Sequence, residues 1–136
     1  MAQNDGRVVS NFIIQALNNE DLSIYGDGSQ TRSFCYVDDL IYGLMKTMDT
    51  EDSFTGPINL GNDLELSIKD IAEKIICLSN SNSLIKYINP VSDDPMQRKP
   101  DLSLAKQVIN WEPKVNLEKG LNLTIDYFKK ELERIV

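Results

Sequence analysis

The sequence predicts a mixed α/β fold of the α+β type for a chain of 136 residues. Two observations support this prediction. Several segments repeat apolar residues every three or four positions, which indicates amphipathic helices, and short apolar runs between turn residues indicate strands. The two kinds of segment alternate along the chain, which is typical of mixed α/β domains. Because one domain is the default at this length, a single domain is expected over residues 1–136.

The first half of the chain is predicted to contain two helices. Residues 7–17 form the first, with an apolar face that includes Val9 and Phe12. Residues 38–48 form the second, which begins with two acidic residues that favour a helix N-terminus. Its apolar stripe consists of Leu40, Ile41, Leu44, Met45 and Met48. Short strands are predicted at 22–25, 33–37 and 56–62.

The second half begins with a capping signal. Ser67 is a predicted N-cap, and Asp70 follows three residues later in a variant of the capping box. The apolar face of that helix consists of Ile68, Ile71, Ala72, Ile75 and Ile76. A strand at 84–88 and a polar, proline-bounded loop at 89–100 follow, and Asp101 is predicted to cap a short helix. The last helix has an apolar stripe made of Leu117, Leu121, Ile125, Phe128, Leu132 and Ile135.

Composition argues against several kinds of function. The formal net charge of −7 argues against nucleic-acid binding, which needs a basic surface. No apolar run is long enough to span a membrane, and no signal pattern begins the sequence. Cys35 and Cys77 lie in apolar runs and are predicted to be reduced core residues of a cytoplasmic protein. With two cysteines and no histidine, no metal site is predicted.

Two loops carry an arginine beside small or turn-forming residues. Arg32 ends the "DGSQTR" segment, and Arg98 lies in the proline-bounded loop. A guanidinium makes paired hydrogen bonds to phosphate or carboxylate, and glycines let backbone N–H groups approach an anion. Taken alone, each loop is also explained as a surface turn. Gly26 and Gly28 do not form a dinucleotide fingerprint, because its third glycine would fall on Thr31.

One pair of residues imitates a catalytic motif. Tyr42 and Lys46 match Tyr-x-x-x-Lys, the acid/base pattern of short-chain dehydrogenases, and their spacing puts both on one helical face. The pattern is common by chance, and the same helix uses neighbouring positions for packing. We therefore interpret this pair as structural.

The acidic residues form no pair typical of a two-carboxylate site. Asp38 and Asp39 are interpreted as helix-start residues. Asp93 and Asp94 are expected to shape their loop or orient Arg98 rather than to bind a metal.

Five segments occur together in a fixed order: "NDGRVVSNFIIQAL", "IYGDGSQTRSFCYVDDL", "INLGN", "DDPMQRKPDLSLAK" and "NWEPKVNLEKGL". This set resembles the C-terminal half of extended short-chain dehydrogenases/reductases that act on nucleotide sugars, and among them the UDP-glucuronate decarboxylases (UDP-xylose synthases). The resemblance covers nearly the whole chain. It implies the C-terminal substrate-binding region of an NAD(P)-binding Rossmann-type enzyme, with the Rossmann nucleotide-binding half absent.

The resemblance also implies roles for individual residues. Arg32 would contact the substrate diphosphate, and Arg98 would lie where diphosphate and sugar meet, near the hexuronate carboxylate. Arg7 would help to close the site towards the cofactor. The uracil and ribose pocket would be lined by Val9, Phe12 and Tyr25, with Gln30 as a further polar contact. The catalytic Tyr-x-x-x-Lys of the family would lie upstream of residue 1, so no catalytic residue is expected here.

The parent enzyme implied by the resemblance is an NAD-dependent carbon–carbon lyase that converts UDP-glucuronate to UDP-xylose and CO2. This chain alone is expected to be inactive and to bind no NAD. Three alternatives stay open: a dTDP-glucose 4,6-dehydratase, a nucleotide-sugar epimerase, and a non-catalytic nucleotide-sugar-binding module or remnant. Residues 56–79 are expected to pack on the Rossmann half, and apolar surface exposed in its absence favours a homo-oligomer.

Overall fold

The computed structural model describes residues 7–90, 92 and 94–135, and within them the chain forms five helices and five strands. The helices are α1 (Val8–Leu17), α2 (Val37–Met48), α3 (Ile68–Ser79), α4 (Ser103–Ile109) and α5 (Leu117–Ile135). The strands are β1 (Leu22–Tyr25), β2 (Thr31–Ser33), β3 (Glu65–Ser67), β4 (Ile85–Ile88) and β5 (Gln97–Arg98). This composition confirms the mixed α/β class. Residues 1–6, Asp93 and the side chain of Ile135 lie outside the described residues.

Two compact units share the chain. Unit 1 comprises residues 1–31, 66–96 and 121–136, and unit 2 comprises residues 32–65 and 97–120. Each unit contains segments that are distant in sequence, so long-range contacts organise both of them.

Unit 1 is built from α1, α3, the parallel pair of β1 and β4, and most of α5. The two strands pair from Leu22 opposite Ile85 to Tyr25 opposite Ile88. Helix α3 begins as predicted, because the Ser67 hydroxyl accepts a hydrogen bond from the Asp70 N–H at 3.0 Å. The buried apolar residues of the unit are Phe12, Ile13, Ala16, Leu22, Ile24, Ile68, Ile71, Ala72, Ile75, Leu121, Ile125 and Phe128. They include most of the predicted inward faces of α1, α3 and α5, whereas Val9, Leu17, Ile76, Leu117 and Leu132 are only partly buried.

Unit 2 is organised around one tryptophan. Trp111 is almost fully buried together with Ala105 and Ile109 from α4. Four partly buried apolar residues pack against this Trp111 cluster: Cys35, Ile58, Leu60 and Leu102. The indole N–H of Trp111 donates to the carbonyl oxygen of Asp39 at 3.0 Å, which satisfies the polar group of the buried ring.

The strand predicted at 33–37 is wrong in position. Strand β2 ends at Ser33, and helix α2 begins at Val37. β2 is the middle strand of a three-stranded sheet in the order β3, β2, β5, and the Thr31 N–H donates to the carbonyl of Met96 at 2.8 Å. The position of β2 is therefore set by its neighbours β3 and β5 and not by the apolar run at 33–37, because β structure depends strongly on its tertiary context.

The strand predicted at 56–62 does not form in the structure. Ile58 and Leu60 pack against the Trp111 cluster instead. The side-chain amide of Asn59 donates to the carbonyl of Asp101 at 3.2 Å. The apolar residues of this segment are thus buried by side-chain packing, without β-sheet hydrogen bonding.

The prediction that both cysteines lie in the core is wrong for Cys77, which is exposed. Cys35 is half-buried. Both cysteines are free thiols. Helix α3 buries Ile71 and Ile75, and position 77 lies about 200° around the helix from position 75. The thiol of Cys77 therefore points away from the core. Burial, with a smaller contribution from the charge of Asp39, raises the pKa of the Cys35 thiol.

Candidate functional site

The "DGSQTR" segment forms a tight turn whose shape depends on two glycines. Gly26 and Gly28 have φ values of +77° and +79°, in the left-handed region that favours glycine. A Cβ atom at Gly28 would lie 3.2 Å from Lys69 Cβ and 3.3 Å from Ile24 Cγ2, so the position is also crowded. Both glycines are needed for the turn itself.

Backbone groups of the turn are already engaged within unit 1. The N–H of Gly26 donates to Ile88 O at 2.9 Å, and the N–H of Ser29 donates to Asp27 Oδ1 at 2.9 Å. The Ser29 hydroxyl donates to the same carboxylate at 2.6 Å. These hydrogen bonds lower the pKa of Asp27, with the hydroxyl contributing most. The turn is therefore a poor candidate for a phosphate cradle made of backbone N–H groups.

The N-terminus of α3 is occupied in the same way. The N–H of Ile68 donates to Gln30 O at 3.0 Å, and the N–H of Lys69 donates to Gly28 O at 3.1 Å. A helix N-terminus binds an anion through N–H groups that lack a partner. Here the turn supplies their partners, so any anion at this loop depends on side chains.

The two arginines predicted to bind phosphate lie on neighbouring strands. Arg32 is in β2 and Arg98 is in β5, both in unit 2, and adjacent strands lie about 4.8 Å apart. The Ser33 hydroxyl donates to the carbonyl of Arg98 at 3.4 Å, which joins the two strands beside the pair. Residues 66 positions apart in sequence are thus brought together, and we call them the arginine pair.

The side chains on either side of Arg98 contact Glu65, while Arg98 itself lies on the opposite face of the strand. Glu65 accepts a hydrogen bond from the Gln97 side chain at 2.6 Å and forms an ion pair with Lys99 at 3.9 Å. Successive side chains of a strand point to opposite faces. Arg98 therefore points away from the face on which its two neighbours reach Glu65, and its side chain is exposed.

The other predicted site residues lie in unit 1. Gln30 is buried, and its side-chain amide donates to Tyr25 O at 2.8 Å. The Tyr25 ring is half-exposed at the end of β1. Phe12 is buried in the core, which gives it a packing role, whereas Val9 is half-buried on α1 and Arg7 is the exposed N-cap residue of that helix. Ligand contacts by these residues stay predictions.

Asp39 has a role that sequence reasoning missed. It lies in the first turn of α2, as expected, but its carboxylate is buried. Oδ2 accepts hydrogen bonds from the N–H groups of Lys114 at 2.9 Å and Val115 at 2.8 Å. The sequence does not reveal this hydrogen bonding, because the partners lie 75 and 76 positions away. The only sequence signal is that two acidic residues are adjacent.

Lys46 of the apparent Tyr-x-x-x-Lys motif also has structural partners. Its Nζ donates to the carbonyl oxygens of Ile109 at 3.0 Å and Asn110 at 3.1 Å, at the C-terminus of α4. A cation is favourable at that end of a helix. The same Nζ lies 5.2 Å from the centre of the Tyr42 ring. These contacts support the structural interpretation of the pair.

Unit 2 also contains an open cavity of about 500 Å³. It borders Lys99, Lys106 and Trp111, but neither member of the arginine pair lines it. Lys106 forms an ion pair with Glu112 at 3.5 Å across its rim. In the described ranges, no cluster of three metal-ligating side chains occurs, and no helix is both long and apolar enough to cross a membrane.

Comparison with known proteins identifies the class. Residues 1–61 match the family model of the NAD dependent epimerase/dehydratase family. UDP-glucuronic acid 4-epimerase from Bacillus cereus, solved in complex with UDP-glucuronic acid and NAD, has a TM-score of 0.87 and 32% identity, covering 93% of this chain and 40% of that chain. UDP-glucose 4-epimerase from Thermotoga maritima, solved with UDP-glucose, has a TM-score of 0.86 and 31% identity. That match covers 93% of this chain and 40% of the epimerase chain. The chain is thus similar in fold and sequence to the C-terminal part of these NAD-dependent enzymes.

Curated relatives of high similarity to this chain are UDP-glucuronic acid decarboxylases. UDP-glucuronic acid decarboxylase 1 from Xenopus tropicalis is 53% identical over 133 residues, which are 98% of this chain and 31% of that protein. UDP-glucuronic acid decarboxylase 5 from Arabidopsis thaliana is 51% identical over 128 residues, which are 94% of this chain and 37% of that protein. The chain thus spans about a third of the length of these relatives. The resemblance inferred from the five motifs is confirmed.

Proposed function

We propose that this chain is the C-terminal, UDP-sugar-binding part of an NAD-dependent UDP-glucuronate decarboxylase. The observation that carries the proposal is the arginine pair, Arg32 and Arg98, on adjacent strands of a chain about half identical to such decarboxylases. The complete enzyme would convert UDP-glucuronate to UDP-xylose and CO2. The parent is therefore a carbon–carbon lyase, and the chain alone is inactive.

The chemistry of the ligand suits two arginines on adjacent strands. A nucleotide diphosphate carries two or more negative charges, and the chain as a whole has a net charge of −7. Such a ligand needs a local positive site that outweighs the overall repulsion. Guanidinium groups stay protonated and bind phosphate oxygens in pairs. Since the N–H groups of Gly26 and Ser29 already donate to Ile88 and Asp27, we assign the side chains of Arg32 and Arg98 as donors to the diphosphate.

A hexuronate adds a further anion, the sugar carboxylate. We assign Arg98 to the boundary between diphosphate and sugar, where it reaches this carboxylate. Val9, Tyr25 and Gln30 are proposed to line the uracil and ribose end of the site, with Phe12 supporting that wall from the buried core, and Arg7 is proposed to lie on the side towards the cofactor. The carboxylate distinguishes this substrate from UDP-glucose, the ligand solved with the Thermotoga maritima epimerase.

The glycine turn of this chain lacks the fingerprint that binds a dinucleotide. The turn at Gly26 and Gly28 leads into strand β2 rather than a helix, and the place of a third glycine is taken by Thr31. We therefore assign the cofactor, and the hydride transfers it supplies, to the remainder of the enzyme. No step of the reaction is attributed to this chain beyond holding and orienting the UDP-sugar.

Two alternatives use the same site. A 4-epimerase or 4,6-dehydratase would keep the arginine pair, but the decarboxylases are about 50% identical to this chain and the solved epimerases about 32%. That difference favours the decarboxylase. A non-catalytic nucleotide-sugar-binding module is the alternative from another class. The cytoplasmic location and the homo-oligomer expected from sequence stay predictions.

Titration calorimetry with UDP and UDP-glucuronate tests the proposal. We expect binding by the chain, and we expect the variant carrying both Arg32→Ala and Arg98→Ala to bind at least about 100-fold more weakly. Hydrogen bonds to charged groups contribute about 1.5–3 kcal/mol each, and about 1.4 kcal/mol corresponds to a tenfold change in affinity.

Lys86→Ala removes one exposed cation of β4 and is the control, for which unchanged affinity is expected. Equal binding by the double variant and the original chain would contradict the proposal. Absence of binding by the folded original chain would do the same.

A further inference from the structure

Glu65 contacts both residues that flank Arg98, and we call this contact the Glu65 bridge. One carboxylate oxygen, Oε1, accepts a hydrogen bond from the Gln97 side-chain amide at 2.6 Å, and the other, Oε2, lies 3.9 Å from the ammonium of Lys99. The side chain of Glu65 is 24% exposed and that of Lys99 is 47% exposed, so the carboxylate is the better-buried partner. The bridge therefore holds β5 immediately before and immediately after the arginine.

The Glu65 bridge passes over the middle strand of its sheet. The strand order is β3, β2, β5, so Glu65 in β3 and Gln97 in β5 are separated by one whole strand. Adjacent strands lie about 4.8 Å apart, so the two side chains span about 10 Å between them. Such a contact can form on one face of the sheet only, and it fixes the face on which Gln97 and Lys99 lie.

The contacts between β2 and β5 define the register of the arginine pair. The Thr31 N–H donates to Met96 O at 2.8 Å, and two residues further along both strands the Ser33 hydroxyl donates to Arg98 O. Because both contacts advance in the same direction, β2 and β5 run parallel. In a parallel ladder an N–H bonds to the carbonyl that precedes the opposite residue, so Arg32 lies opposite Arg98. Both arginine side chains therefore start on the face that the bridge does not use.

Strand β5 is weakly fixed by its own ladder. It has two residues, both with exposed side chains, and within the described part of the chain it has a neighbouring strand on one side only. Strands usually have at least three residues, and an edge strand leaves half of its backbone groups unpaired. Rotation about the axis of β5 would carry Arg98 away from Arg32. The Glu65 bridge opposes this rotation, because it binds on both sides of Arg98.

We propose that Glu65 is a positioning residue of the UDP-sugar site. Through its two partners on β5 it keeps Arg98 on the face shared with Arg32, without itself contacting the ligand. This inference rests on the proposed function. An exposed ion pair contributes little to global stability, so the consequence of the bridge is a preordered arginine and a higher affinity for the anion.

Charge alone predicts the opposite effect of removing Glu65. A carboxylate near the arginine pair repels an anionic ligand, so its loss by itself would strengthen the binding of UDP-glucuronate. Loss of positioning weakens binding, because Arg98 must then be ordered when the ligand binds. The direction of the change in Kd therefore separates the two effects.

Titration calorimetry of the chain with UDP-glucuronate measures this direction. We expect Glu65→Ala to raise Kd about three- to tenfold, the cost of ordering one long side chain on binding. Glu65→Gln keeps an oxygen that accepts from the Gln97 amide. Its Kd should stay within about twofold of the original value, because an ion pair at 3.9 Å is weak. Far-UV circular dichroism verifies that each variant is folded.

Glu131→Ala is the matched control. It also removes one carboxylate from an ion pair, with Arg134 at 2.9 Å, and the side chain of Glu131 is 33% exposed, close to that of Glu65. Glu131 lies on α5 in unit 1, away from β5, and an unchanged Kd is expected. In a chain that already carries Arg98→Ala, Glu65→Ala should change Kd by less than about twofold, because the residue to be positioned is absent.

Limited proteolysis by trypsin measures the order of β5 without any ligand. Trypsin cleaves after arginine and lysine, but the Lys99–Pro100 bond resists it because proline follows, so cleavage of the Arg98–Lys99 bond reports on this strand. We expect Glu65→Ala to speed this cleavage at least about threefold, because cleavage follows the population of the locally opened strand. Glu131→Ala should leave the rate unchanged.

Three outcomes would overturn the inference. They are equal or tighter binding by Glu65→Ala when Arg98→Ala weakens binding, an undiminished effect of Glu65→Ala in the chain that carries Arg98→Ala, and equal cleavage of the Arg98–Lys99 bond with and without Glu65. Equal binding by Arg98→Ala and the original chain would contradict the proposed function instead. The trypsin measurement does not depend on ligand binding, so the two failures are distinguishable.

Discussion

At the residue scale, individual side chains act through partners that are remote in sequence. The Asp39 carboxylate receives two N–H groups from the segment before α5, and its carbonyl receives the indole N–H of Trp111. One residue therefore joins α2 to the Trp111 cluster and to the chain that follows it. Its neighbour Asp38 also lies in the first turn of α2, but the side chain of Asp38 is exposed.

Substitution tests this difference. We expect Asp39→Ala to lower the free energy of unfolding by about 1.5–3 kcal/mol, because two partly buried N–H groups lose a charged acceptor. Asp39→Asn keeps an acceptor oxygen and should recover part of the loss. Asp38→Ala, the matched control, should change stability by less than about 0.5 kcal/mol.

Urea unfolding followed by fluorescence of Trp111, which is the single tryptophan of the chain, measures all three variants. Equal stability of Asp39→Ala and Asp38→Ala would show that Asp39 serves only as a helix-start residue.

At the element scale, two helical glycines have opposite environments. Gly43 lies in α2, where an added Cβ would come within 2.9 Å of Leu60 and Trp111. Gly120 lies in the first turns of α5, where the nearest atoms to an added Cβ, those of Tyr36, are at an ordinary 3.5 Å. Helix propensity alone favours alanine over glycine at both positions by about 1 kcal/mol.

These environments predict opposite effects of the same substitution. Gly43→Ala should destabilise the chain by about 1–3 kcal/mol, because it overpacks the contact between α2 and the Trp111 cluster. Gly120→Ala should stabilise it by up to about 1 kcal/mol. Thermal unfolding followed by circular dichroism measures both, and stabilisation by Gly43→Ala would mean that α2 does not lie this close to Trp111.

The elements also show what sequence patterns can predict. Four of the helices follow from apolar spacing, supported in α3 by the Ser67 cap, and strands β1 and β4 follow from short apolar runs. The existence of α4 was predicted from Asp101, but its N-cap residue is Leu102, and the Asp101 carboxylate accepts the N–H of Ser103 instead. The apolar runs at 33–37 and 56–62 gave wrong strands, because β2 is fixed by its neighbours and the second segment by packing on Trp111. The arginine pair was predictable as two residues with suitable chemistry. Its arrangement on adjacent strands required the tertiary fold.

At the scale of the whole molecule, the chain represents about a third of the decarboxylases it resembles. The arginine pair, which lies in unit 2, is the positive charge that we propose for binding a nucleotide diphosphate. Substrate binding would then lie within this chain, and hydride transfer would depend on residues elsewhere.

The central claim is tested most directly with a chimera in which these 136 residues replace the matching stretch of UDP-glucuronic acid decarboxylase 1 from Xenopus tropicalis. Its products are analysed with UDP-glucuronate and NAD. We predict that the chimera forms UDP-xylose and CO2 and that Arg32→Ala with Arg98→Ala lowers turnover at subsaturating substrate at least about 100-fold, by the loss of two charged contacts. The Lys86→Ala chimera should retain full turnover. Release of a 4-epimer of UDP-glucuronate instead of CO2, or full turnover by the chimera without both arginines, would contradict the account.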